Sequence, residues 1–234
     1  MGELYSFIVN FFKNGGFFLY PLALIFVIGV SIAIERFMFL TVETQRNRSL
    51  WNELVPHLST GNFKQVLALT SKSKASIATV LNYGIARLSQ ARRRDDVEKA
   101  MDESMLEIIP RIEKRTHYLG AMANIGMLTG LLGTVIGLIS AFSAIANANP
   151  AEKASLLAAS ISVAMNNTAS GLLCAITLLV SHMFLEAKTT KLIDSLEIAS
   201  VKFLNSVVER RGDAEGDAPA ARAAAPNAPA RGMA

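Results

Sequence analysis

Two adjacent asparagines, Asn166 and Asn167, lie in a stretch of chain that has no Lys, Arg, Asp or Glu from residue 154 to residue 181. The local sequence, "ISVAMNNTASG", adds Thr168 and Ser170 to the pair. An amide left unsatisfied in an apolar medium is costly, so these side chains must meet protein or water. A second uncharged run, residues 118–151, carries "GLLGTVIGLI" at 130–139, with Thr134 among three glycines. The chemistry available is uncharged hydrogen bonding. It suits either adhesion between helices or the wall of a hydrated path.

The glycines have a pattern of their own. Gly126, Gly130, Gly133 and Gly137, followed by Ala141, recur at three- and four-residue steps and make one small-residue helix face. Such a face predicts close packing of another helix. Downstream, Ser160, Ala164, Asn167, Gly171, Cys174 and Ser181 share a face, and Ser162, Asn166, Ser170 and Thr177 line the adjacent one. The chain shows no nucleophile–base pair, metal-ligand spacing or phosphate loop, so neither catalytic residues nor a metal or cofactor are expected. Cys174, the single cysteine, reads as a small packing residue.

These residues need helices that cross a membrane. The chain of 234 residues is 51% hydrophobic with positive mean hydropathy, and its charges are segregated. Both uncharged runs exceed the roughly 20 residues that span a bilayer as helix. A third apolar stretch, Phe17 to Ile34, would rise roughly 27 Å. No basic leader precedes it and no cleavage site follows, so it reads as a retained span. The predicted fold class is therefore an all-α integral membrane protein with three transmembrane helices, at 17–40, 118–146 and 154–185. Pro150 breaks the chain in a short external loop, 147–153, which makes an antiparallel hairpin of the last two spans.

Lys and Arg set the expected orientation. Thirteen fall in 41–117, against Lys13 alone before the first span and Lys153 alone in the hairpin loop. The positive-inside rule places 41–117 in the cytoplasm as a helical domain, with residues 1–16 periplasmic. Asp95 and Asp96 favour a helix start, Val97, Met101, Met105 and Ile108 make its apolar stripe, and "STGNF" (59–63) reads as a turn. Residues 186–211 extend the third span as a cytoplasmic helix with Ile193, Leu196, Val201, Leu204 and Val208 on one face. The Ala/Pro/Gly-rich tail, 212–234, is expected to be disordered. Arg92, Arg93 and Arg94 are followed at once by Asp95, Asp96 and Glu98, and no aromatic-basic interleaving is present, so nucleic acid is not an expected partner.

The stretches "NIGMLTGLLGTVIGLISAF" (124–142) and "ISVAMNNTASGLLCAI" (161–176), with the order of span, long segment and hairpin, resemble the MotA/TolQ/ExbB proton-channel family. The resemblance implies a bacterial inner-membrane motor subunit that forms a homo-oligomeric ring of five. It also implies a single-span partner like ExbD, TolR or MotB, whose membrane aspartate carries the ion. Thr134 and Thr168 match the family's pore-facing threonines. With Asn166, Asn167 and Ser170 they form the expected ion path for a proton, with Na+ as the alternative ion. Neither interior span has a Lys, Arg, Asp or Glu near its centre, in keeping with a carboxylate supplied by a partner. The transport-linked branch has a glutamate where this chain has Val163, and the segment 41–117 is short for a flagellar stator. The first feature leans toward a motility or envelope-tethering branch, and the second argues against the MotA branch itself. A structural scaffold that passes no ions is the competing reading.

Overall fold

The computed structural model describes residues 16–88, 94–146 and 148–223, with side chains of the final helix described through Val207. Six helices follow in order: α1 (Leu19–Thr60), α2 (Phe63–Lys72), α3 (Ser76–Leu88), α4 (Arg94–Glu113), α5 (Thr116–Ala146) and α6 (Lys153–Ala223). α1, α5 and α6 are each long and apolar enough to cross a membrane, and no strand occurs among the described residues. No more than a third of the residues in any of their apolar windows are buried, so their outer faces suit lipid or neighbouring chains. The chain divides into two compact units, one from residues 1–41 and 113–190, the other from 42–112 and 191–234.

In the first unit, the start of α1 packs with α5 and α6. Leu19, Leu22 and Leu40 are buried from α1, Leu119, Ala123 and Ala141 from α5, and Ala164, Cys174, Leu178 and Leu185 from α6. Pro21 falls in the first turn of α1, where its missing N–H breaks no helical bond. The expected turn holds Pro150, where Glu152 N–H donates to Asn149 C=O at 3.0 Å before α6 begins at Lys153. Asn147, the first residue of the expected loop, lies outside the described residues, as do 1–15, 89–93 and 224–234.

The second unit is a small helical core. Val97, Met101, Met105 and Ile108 are buried on α4 as their spacing predicts. Phe203 of α6 is fully buried and meets Phe63 edge-on at 6.1 Å between ring centres. Gly61 takes a left-handed φ of 66° in the expected turn, and Asn62 caps α2 by accepting from Gln65 N–H at 3.3 Å. The start of α3 is capped from afar. The buried Glu43 carboxylate accepts from Ser76 N–H at 2.7 Å and Ser76 Oγ–H at 2.6 Å, while Asn47 Oδ1 accepts from Ile77 N–H at 3.1 Å. Each satisfies a backbone donor that a helix leaves unpaired at its N-terminus.

Several boundaries differ from those expected. α1 continues past Leu40 to Thr60 without a break, because polar residues at suitable spacing extend a helix as readily as apolar ones. α4 carries Pro110 but ends only at Glu113, and Arg115 then adopts a left-handed φ of 68° before α5 starts at Thr116. The third span and the helix that follows it are one element, as the expected extension over 186–211 requires. That element runs on to Ala223, so residues 212–223, expected to be disordered, are helical, in keeping with the high helix propensity of alanine. The face of the 191–207 segment is also corrected. Val201 is exposed, and Leu192, Leu196, Ala199, Phe203, Leu204 and Val207 form the buried stripe, while Val208 is outside the described side chains.

Candidate functional site

Built from the residues upward, the site is the antiparallel contact between α5 and the first part of α6. A methyl group added at Gly130 would stand 2.7 Å from Gly171 Cα and 2.8 Å from the Asn167 carbonyl oxygen. At Gly171 it would stand 2.8 Å from Gly130 Cα. Only glycine allows the two backbones to approach so closely. The seam continues along α5, with Gly126 against Cys174 Sγ, Gly133 against the Asn167 side chain, and Gly137 against Ala164. All five glycines singled out by spacing therefore lie in one interface. α1 closes on one flank of it, with Leu22 beside Gly126, Phe18 beside Gly133, Gly29 against Leu178, and Gly16 beside Val163.

The polar residues do not share one surface. Asn167 is 4% exposed, sits in the seam against Gly133, and has no hydrogen-bond partner for its Oδ1. Asn166 and Ser170 lie three and seven residues beyond Val163, on one helical row that runs beside the seam. Ser170 is buried and donates to the Asn166 carbonyl at 2.6 Å. Thr134 and Thr168 lie elsewhere. They are the residues immediately after the contacting pair Gly133 and Asn167. In antiparallel helices, one step forward of about 100° on each turns both side chains toward the same side of the pair. Helix geometry thus turns the two threonines to the same side of the α5–α6 pair. Thr134 Oγ–H donates to the Leu131 carbonyl at 2.6 Å, which leaves its oxygen's lone pairs available to another donor.

The ion pair and cation–ring contacts of this unit lie at the end of the hairpin away from the 147–153 loop. Arg115 pairs with Glu35 at 2.8 Å, the buried Arg36 lies over the Phe39 ring at 4.7 Å, and Lys188 lies over Phe37 at 4.2 Å and donates to Thr41 Oγ1. Among the described residues no group of three or more His, Cys, Asp or Glu side chains is placed to hold a metal ion. Spacing alone missed three residues at that end. Thr116, His182 and Thr189 line a cavity that becomes visible only when α5 and α6 are paired.

The class that this fold and site define is an all-α, multi-pass membrane protein. Its hairpin helices join along a glycine seam. The chain belongs to the MotA/TolQ/ExbB proton channel family, which it matches over residues 72–198. It is also similar to a protein of Methanothermobacter thermautotrophicus described as a biopolymer transport protein ExbB homolog. The two are 25% identical over 196 residues, covering 82% of this chain and 67% of the relative.

Proposed function

We propose that the chain is the channel-forming subunit of an ion-driven membrane motor. In this reading it assembles as a ring, of five copies by analogy with the family. The flank bearing Thr134 and Thr168 faces the ring axis, and the hydroxyls line a path for protons. A single-span partner resembling ExbD, TolR or MotB would supply the carboxylate that this chain lacks along its spans. Residues 42–112 would lie in the cytoplasm, where their Lys and Arg content favours them. What supports the reading is the position of Thr134 and Thr168 immediately after the contacting pair Gly133 and Asn167, which by helix geometry turns both toward one side of the hairpin. Their neighbours on that flank include no charged group, so an ion there would be met by hydroxyl oxygen and water alone.

The test is proton flux in vesicles that contain the assembled complex. Thr168→Ala and Thr134→Ala should each reduce flux at least tenfold, about 1.4 kcal/mol of barrier, with the complex still co-purifying. Wild-type flux in both variants would remove the threonines from the path. A scaffold that conducts nothing has one observation in its favour, the use of Asn167 inside the packing seam. In that case an uncoupler would leave the dependent cellular activity intact.

A further inference from the structure

At the charged end of the α5–α6 hairpin lies a cavity of about 70 Å3, lined by Glu113, Thr116, His117, His182, Glu186 and Thr189, among others. Two of its walls are unusual. Thr116 and Thr189 are 4% and 5% exposed, and the Oγ atom of each is buried without a hydrogen-bond partner. A buried hydroxyl left unpaired is unfavourable, and two around one cavity point to a guest that bonds to both. The volume admits at least two water molecules, and water with several polar partners is the guest such a space holds.

His182 connects this cavity to the seam. Its Nε2 edge lies 3.7 Å from where a methyl group on Gly120 would be, one step further along the same small-residue contact of α5. Its Nδ1 lies 3.6 Å from Glu186 Oε2. Exposure rises along that line, from 21% for the His182 side chain to 63% for Glu186. The groups facing His182 are thus Glu186 on its own helix, Glu113 from the end of α4 and His117 from α5, the last two 4.0 Å apart. The nearby Arg115 is held by Glu35.

We propose that this cavity is a water-filled proton port, in which His182 passes protons between the hydrated α5–α6 flank and the solvent-exposed Glu186. The idea rests on the proton-conducting reading above. Imidazole is suited to the step because one nitrogen can accept a proton from water while the other releases one. A proton arriving at Nε2 makes the imidazolium, loss of the Nδ1 proton to Glu186 or cavity water leaves the neutral Nε2–H tautomer, and a ring flip or proton exchange through cavity water resets the imidazole for the next proton. Thr116 and Thr189 act as positioning residues, each donating one hydrogen bond to the cavity water and accepting another.

The experiment measures proton flux in vesicles that contain the assembled wild-type complex and its variants. His182→Ala and the shape-preserving His182→Gln should each lower flux about tenfold. Millimolar imidazole on the port side should restore flux to His182→Ala. The double variant Thr116→Val with Thr189→Val keeps shape but loses both hydroxyls, and it should conduct severalfold more slowly. If His182→Gln conducts at the wild-type rate while Thr168→Ala does not, the port is refuted and the motor reading stands. Loss of flux that imidazole fails to restore, with the complex intact, assigns His182 a structural part and also refutes the port. A wild-type complex that passes no protons sinks both.

Discussion

Gly130 and Asn167 show how narrowly single side chains are specified in the seam. A methyl group on Gly130 would overlap the backbone of α6, which no rotamer change can relieve. Gly130→Ala is therefore expected to destabilise the helix pair by about 1–3 kcal/mol, read as a lower melting temperature of the detergent-solubilised protein. Gly120→Ala is the control, because its new methyl would meet nothing closer than 3.7 Å and should leave that temperature unchanged. Asn167 adds a different lesson. Its amide packs against Gly133 while its oxygen goes unpaired, so it works in this chain as a spacer of fixed shape rather than as a donor to the threonine flank. The sequence signalled that the two asparagines must avoid lipid. Which of them enters the seam with α5 was not readable from their spacing, because adjacent residues on a helix point about 100° apart and either could have met it.

Helices in this protein are terminated and started by specific groups rather than by propensity alone. α3 depends on Glu43 and Asn47, 33 and 30 residues before the amides they cap. Glu43→Ala removes both bonds to Ser76 and should destabilise the second unit by about 1–2 kcal/mol, detectable as faster proteolysis near residues 73–76. Such a cap was invisible beforehand, since local reading recognises a capping residue only next to the helix it caps. The turn at Gly61 and Asn62 was legible for the opposite reason, because glycine and asparagine act on their own backbone. The break before α5 falls at Arg115, whose left-handed φ is unfavourable for any residue that carries a Cβ. The ion pair with Glu35 offsets part of that strain.

Taken as one chain, the protein presents far more apolar surface than a soluble protein of this length would expose, and much of it lies on α1, α5 and α6. Phe142, Leu131, Leu173 and Phe184 are each more than half exposed, and they suit lipid or further copies of the same chain. The family assignment leads to a concrete expectation. Affinity purification from native membranes should recover a small single-span protein with a membrane aspartate, in substoichiometric amount, and a purification that recovers none would count against the motor. Three apolar spans, the antiparallel hairpin and the glycine face could be read from the sequence, because hydropathy and helical periodicity are local properties that survive any tertiary arrangement. The burial of Asn167 in the seam, the cavity lined by Thr116 and Thr189, and the long-range cap on α3 came only from the pairing of helices. Each depends on the rotation and register of one helix against another, and those are set by packing between residues far apart in the chain.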